Sequence, residues 1–235
     1  MTILYVNGDS HSAGAEIANA CCFAKDDAKY WALGRAPHPD NLRLSYGQHI
    51  ANCLNTTLVC AAESASSNTR IIRTTKEYLK NNRPDLIIIG WSTWEREEWL
   101  HEGVYYQVTA SGTDSVPQEL KEQYKNWVVA KSAKKYNEEL AAHKQIWDFH
   151  NELTDQGIKH LFFNTYLYFR NIVVYDEPRF DWGTSFIDPY TENQTYYYWL
   201  KNLGFKTVNP NSYHFGAPAH QKWAEYLLVH LTTNE

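Results

Sequence analysis

The sequence predicts an α/β fold: a three-layer α/β/α sandwich around a parallel, flavodoxin-like sheet. Three observations predict it. Four short apolar runs, Ile3–Val6, Thr57–Cys60, Leu86–Ile89 and Leu161–Phe163, have the length of buried strands. Stretches with helical spacing separate them, and strands alternating with helices pair in parallel through right-handed crossovers. The chain has 235 residues, 43% of them hydrophobic, enough to fill the core of one such domain, so a single domain over 1–235 is expected.

The elements follow in order. Tyr46, Ile50 and Leu54 repeat at four residues, with Ser45 placed to cap the helix. Ile71, Ile72, Thr75, Tyr78 and Leu79 make a second helical face, and Pro84 forces an extended entry into the third strand. A long helix is expected over about 127–155, with the stripe Val129, Ala133, Tyr136, Leu140, Trp147, Leu153 and Gly157 as its cap. His220, Trp223, Ala224, Leu227, Leu228 and Leu231 mark a last helix. Ala110–Gln123 is polar and reads as a loop. Tyr166–Trp199 is rich in aromatics without a period. It is expected to be an insertion near the active face, serving either as a lid or platform or as packing.

Composition narrows the function. Lys plus Arg number 22 and Asp plus Glu 27, a net charge of −5, which argues against a nucleic-acid partner held by phosphate neutralisation. No apolar run approaches membrane-spanning length, and no basic leader or cleavage site is visible, so no membrane partner and a cytoplasmic location are expected. Cys21, Cys22, Cys53 and Cys60 show no CxxC spacing. Buried reduced thiols are expected, with no metal and no cofactor. Nothing in the sequence fixes the oligomeric state. Aromatic residues make up 15% of the chain, fit either to stack on sugars at the surface or to fill the core.

In sheets of this class the site lies beyond the carboxyl ends of the strands. There the first run is followed by Gly8-Asp9-Ser10-His11-Ser12-Ala13-Gly14. A glycine allows the sharp turn, and a serine behind it would stand in a field of backbone donors. Serine needs a base to be a nucleophile near neutrality. His214, in Asn211-Ser212-Tyr213-His214-Phe215-Gly216 ahead of the last helix, can supply one, whereas His220 reads as a packing residue.

These segments resemble the ordered blocks of the SGNH (GDSL-type) hydrolase superfamily, and the chain is similar to the short SGNH-like proteins of tailed phages. Besides Gly8-Asp9-Ser10 and the His214–His220 segment, the resemblance rests on Ala62-Glu63-Ser64-Ala65-Ser66-Ser67-Asn68-Thr69-Arg70-Ile71 and on Pro84-Asp85-Leu86-Ile87-Ile88-Ile89-Gly90-Trp91-Ser92. It implies a serine esterase or deacetylase acting on a small or carbohydrate-linked ester through a Ser10–His214 acyl-enzyme. The oxyanion donors implied are the Ser10 amide, the Ala65 amide at a position usually glycine, and Ser92 at a position usually asparagine, with Asn68 as a substitute donor. The acid usually lies two or three residues before the histidine, where this chain has Ser212 and Asn211, so Asn211 is the expected orienting group. Trp91, Trp94 and Arg96, just beyond the third strand, are candidate substrate contacts, although the charged run through Trp99 also reads as an exposed helical turn with internal ion pairs. The alternative is a catalytically impaired SGNH-fold module that binds carbohydrate or belongs to a virion. Asp9-x-His11 also opens metallophosphoesterases, but the later blocks of that family are missing.

Overall fold

The computed structural model describes residues 2–18, 36–110, 116–133, 135–210 and 212–232. In chain order its strands are β1 (Ile3–Gly8), β2 (Thr57–Cys60), β3 (Leu86–Trp91), β4 (Glu97–His101), β5 (Val104–Val108) and β6 (His160–Asn164). Its helices are α1 (Pro39–Leu42), α2 (Tyr46–Leu54), α3 (Asn68–Leu79), α4 (Lys121–Ala133), α5 (Lys135–Asp155), α6 (Arg170–Val174), α7 (Tyr196–Asn202) and α8 (Ala217–Thr232). Among the described residues no helix is long and apolar enough to cross a membrane.

Four strands form one parallel sheet in the order β2-β1-β3-β6, the doubly wound arrangement with β1 inside. Both faces are covered, and the period-two alternation of each strand assigns its side chains to one layer or the other. Leu4, Val6, Leu86, Ile88, Leu161 and Phe163 meet α2, α7 and α8 through Ile50, Leu200, Trp223 and Leu227. Tyr5, Ile87, Ile89, Trp91 and Phe162 point to the other face, against Ile71 of α3 and Ile146, Phe149 and Leu153 of α5. Capping follows simple chemistry: the hydroxyls of Ser45 and Ser67 accept from the amides of Gln48 and Arg70 and start α2 and α3.

Several expectations need correction. The helix expected over about 127–155 begins earlier, at Lys121, inside the stretch read as a loop, and is described as α4 and α5 on either side of residue 134; that residue, like residues 111–115, lies outside the described residues. The charged run after β3 is no helical turn. It leads into the β4–β5 hairpin, turned at Glu102 and Gly103, which both adopt positive φ. Arg73 of α3 holds this hairpin by two bonds to Glu98, Nε to Oε2 at 2.8 Å and Nη2 to Oε1 at 2.7 Å. Cys53 is exposed rather than buried; Cys60 is half-buried, both are free thiols, and Cys21 and Cys22 lie outside the described residues.

The aromatic segment Tyr166–Trp199 serves both layers. Phe169, Ile172, Trp182 and Phe186 enter the core beside β6, and Ile187 and Tyr196 enter the opposite one. Phe162 exchanges backbone hydrogen bonds with Ser185 and Ile187, at 2.8 and 3.0 Å, so the segment also occupies the open edge of β6.

Candidate active site

The site forms where β1, β2 and β3 end. Gly8 pairs with Gly90 across the sheet, which sets Asp9-Ser10 and Trp91-Ser92 at one level. Neither glycine tolerates a side chain. A Cβ on Gly8 would come within 2.8 Å of the Gly90 carbonyl, and one on Gly90 within 2.8 Å of the Phe163 ring. Asn7 ties the end of β1 to α3, donating through Nδ2 to the Ile71 carbonyl at 3.1 Å and to the Thr75 hydroxyl at 3.0 Å.

From Gly8 the chain winds through a run of turns. The Ala13 amide donates to the Asp9 carbonyl and the Ala15 amide to the Ser10 carbonyl, both at 2.9 Å. Gly14 and Glu16 both adopt left-handed φ, +70° and +64°, which brings the Glu16 side chain back under its own loop. A glutamate in that region carries backbone strain of order 1 kcal/mol, and such residues concentrate at functional sites.

His214 completes the cluster from the far end of the chain. Its Nε2 stands 2.8 Å from Ser10 Oγ and its Nδ1 2.6 Å from Glu16 Oε2. Ser212 braces the pair, accepting from the His214 amide at 3.0 Å and donating to Glu16 Oε2. Asn209 Nδ2 donates to the other carboxylate oxygen at 2.8 Å. Burial alone would push the Glu16 carboxyl up, but hydrogen bonds from His214, Ser212 and Asn209 more than offset it and hold the group below its ordinary value. An ionised Glu16 fixes the tautomer: Nδ1 carries the proton and Nε2 is left to accept from the Ser10 hydroxyl.

Glu16 is the residue that sequence reading missed. The positions where the resemblance places the acid, just before the histidine, hold Asn211 and Ser212. Asn211 lies outside the described residues, and Ser212 serves as a brace. The available signal was a lone carboxylate in Ala13-Gly14-Ala15-Glu16-Ile17-Ala18, six residues past the serine. A charge amid small apolar residues is buried only when it is paired.

Ala65 has φ +66°, the conformation that glycine would supply at this position. Among the described residues no acceptor takes the backbone amide of Ser10 or of Ala65. Arg70 braces the Ala65 loop through the Ala61 carbonyl at 3.1 Å and Glu63 Oε2 at 2.6 Å. Asn68 is tied to Ser92 at both ends of its carboxamide. Its Oδ1 accepts from the Ser92 amide at 2.9 Å and its Nδ2 donates to the Ser92 carbonyl at 3.2 Å, so it clamps Ser92. Ser92 is buried, its Oγ accepting from Arg96 Nη1 at 2.8 Å.

Of the three candidate substrate contacts, Trp91 is excluded. It is 1% exposed, packed edge-on against Phe149 and Phe162, because β3 runs on through it and alternation turns it inward with Ile87 and Ile89. Trp94 is half-buried on Phe169, rings 5.2 Å apart, and faces a groove on the far side of Arg96 with Thr69, Lys131 and Glu138. Arg96 alone borders the cavity lined by Asp9 and His11, the chain neighbours of Ser10. That cavity, about 290 Å³, is walled by Asp9, His11, Thr93, Arg96, Tyr166 and the exposed Tyr213 among others. His11 is held down to about 4, chiefly by burial and further by its neighbours His214 and Arg96 against the pull of Asp9, so it is neutral near pH 7. His220 is a core residue, taking the Tyr46 amide on Nδ1 at 3.3 Å and meeting the Tyr196 hydroxyl at 3.0 Å. Asp9 pairs with Arg96, Nη1 to Oδ2 at 3.1 Å. Among the described residues no three His, Cys, Asp or Glu side chains converge to hold a metal ion.

No family model matches the chain, and no curated protein matches it. Solved structures similar to it include an acetyl xylan esterase (Est2A) from the rumen bacterium Butyrivibrio proteoclasticus, at 15% identity and TM-score 0.49, over 99% of this chain and 64% of that one. Another is a carbohydrate esterase family 2 enzyme with a carbohydrate-binding domain from Corynascus thermopiles (Myceliophthora fergusii), at 13% identity and TM-score 0.45, over 98% of this chain and 67% of that one. A third is a putative lipolytic protein of the G-D-S-L family from Desulfitobacterium hafniense DCB-2, at 13% identity and TM-score 0.36, over 98% of this chain and 99% of that one. The chain thus spans about two thirds of the length of the first two.

Proposed function

We propose that the chain is a serine ester hydrolase of SGNH type, acting on a small or carbohydrate-linked ester, with Ser10 as nucleophile, His214 as base and Glu16 as acid. One observation carries the reading: the unbroken relay from Ser10 Oγ to His214 Nε2 at 2.8 Å and from His214 Nδ1 to Glu16 Oε2 at 2.6 Å. Nucleophile, base and orienting group within hydrogen-bond reach of one another are the signature of an activated serine.

In this reading Ser10 Oγ bonds to the ester carbonyl carbon while its proton passes to His214 Nε2. The carbonyl oxygen becomes an oxyanion, met by the amides of Ser10 and Ala65 and the hydroxyl of Ser92. Collapse breaks the bond to the leaving alcohol, which departs with the proton from His214. Water then adds to the acyl-serine by the same route, and the acid is released with Ser10 restored. Glu16 stabilises the imidazolium formed in each half. Glu16 supplies the carboxylate that the positions two and three residues before His214 lack, which supports a catalytic over an impaired module. For the leaving group, a cavity that combines the charged Asp9, Glu95 and Arg96 with Tyr166 and Tyr213 on its wall suits a sugar ring better than a fatty chain.

The test is chemical. A fluorophosphonate probe should label the wild type on Ser10, and acetate should be released from p-nitrophenyl acetate and from an acetylated monosaccharide. Ser10→Ala and His214→Ala should lose both. A folded wild type that resists the probe and releases no acetate overturns the proposal.

A further inference from the structure

Arg96 touches each of the three segments that carry the proposed oxyanion donors, and does so through one nitrogen. Its Nη1 donates to Asp9 Oδ2 at 3.1 Å, beside Ser10, and to Ser92 Oγ at 2.8 Å. It also approaches the carbonyl of Ser66, beside Ala65, at 3.5 Å. The Asp9–Ser10 and Ser92 segments lie side by side because Gly8 and Gly90 are paired in the sheet.

Two facts make this more than an ion pair. The first concerns Ser92. A serine oxygen that accepts from a cation keeps one proton to donate, and among the described residues no acceptor takes it. Its main chain is clamped on both sides by Asn68, so the hydroxyl is carried on a fixed support. A charged donor on its oxygen polarises the O–H bond and makes it a stronger donor in turn. The second concerns Asp9. The residue is 1% exposed and is the chain neighbour of the nucleophile. Unopposed, a buried negative charge there would repel the oxyanion. Its other contacts are to the His11 amide at 3.0 Å and the Thr165 hydroxyl at 3.4 Å, both neutral.

We propose that Arg96 is a positioning residue for the ester hydrolysis, whose guanidinium polarises the Ser92 hydroxyl into an oxyanion donor and cancels the Asp9 charge beside Ser10. The pair Ser92–Arg96 thereby does the work of a single carboxamide. The inference rests on the reading of Ser10 as nucleophile and deepens it.

The test is a mutant cycle in the full chain, read on p-nitrophenyl acetate turnover and on binding of phenylboronic acid, which forms a tetrahedral anion on a reactive serine. Asp9→Asn/Arg96→Met removes both charges together, so that no buried anion is stranded. Ser92→Ala removes the hydroxyl alone. Ser92→Ala should lower kcat about 100-fold, the scale of one oxyanion donor, with KM within about 3-fold. The charge-deleted pair should lower kcat at least 10-fold, and boronate affinity should fall in step in both variants. Adding Ser92→Ala to the charge-deleted pair should bring the loss to that of Ser92→Ala and no further, because without the hydroxyl Arg96 has nothing to polarise. Losses that multiply overturn the inference, as does a rise in KM at constant kcat, which would make Arg96 a substrate contact. A wild type that is labelled on Ser10 while all these variants keep full turnover overturns this inference alone. A wild type that neither labels nor binds boronate overturns the hydrolase reading with it.

Discussion

Replacing Glu16 by Gln keeps the size of the side chain and removes its charge, so it isolates what the carboxylate does for His214. The 2.6 Å contact between Nδ1 and Oε2 puts the imidazolium and carboxylate charge centres about 4 Å apart. At an effective dielectric of about 20, that separation corresponds to about 4 kcal/mol of attraction, which exists only when the imidazole is protonated. Losing it from the transition state lowers turnover by a factor of about 10³, since each 1.36 kcal/mol is tenfold. Gln also presents an N–H as readily as a carbonyl, and the wrong tautomer of His214 deepens the loss toward about 10⁴. KM should change little, because the imidazole is neutral when substrate binds. The assay is initial-rate hydrolysis of p-nitrophenyl acetate by wild type, Glu16→Gln and Ser10→Ala, with urea unfolding to show that each is folded. Glu16→Gln within tenfold of wild-type kcat, beside a dead Ser10→Ala, would refute the assignment of Glu16.

Further outcomes follow from the same geometry. Ala65 sits at φ +66°, which costs an alanine about 1 kcal/mol and a glycine nothing. Ala65→Gly should therefore range from neutral to about 1 kcal/mol stabilising, after the extra chain entropy of glycine, and keep its activity. A loss of 2 kcal/mol in urea unfolding would show that the strain is absent. Acid should destabilise the fold early. His11, His143 and His160 are each held down to about 4, chiefly by burial, against about 6.5 in an unfolded chain. Between those values the unfolded chain takes up protons that the native state refuses. Stability is thus complete above pH 6.5 and falls as pH drops toward 4, by up to about 2 kcal/mol at pH 5 for the enclosed His11 alone. Glu16, also held down, loses its contribution in the same direction but at lower pH, as it becomes protonated. A urea midpoint that stays constant from pH 7.5 to 5 would contradict this assignment.

The sheet was legible because β1, β3 and β6 are buried on both faces and so read as continuous apolar runs, and the half-buried edge strand β2 still carries a short one; each of the four appears where its run lies, extended by up to two residues. The hairpin was not. Glu97–His101 and Val104–Val108 lie against α3 through Arg73, a long-range ion pair that leaves no local pattern. The meeting of Ser10 and His214 could be anticipated, because a turn after β1 and a loop before the last helix both belong to the carboxyl end of the sheet. Glu16 could not be, since its approach depends on two left-handed residues in one short loop, a property of backbone angles rather than of residue order. Trp91 was hidden for a related reason: β3 runs two residues past its apolar run, and alternation then buries Trp91 on the face of Ile87 and Ile89.

Ser10 and Glu16 share one stretch of seven residues, whereas His214 comes from nearly two hundred residues later. Two of the three partners are therefore neighbours in the chain, and the third, the imidazole, makes both bonds of the relay. Any breathing of the segment that carries it would open both bonds of the relay at once. The machine would idle as a unit rather than drift out of tune part by part.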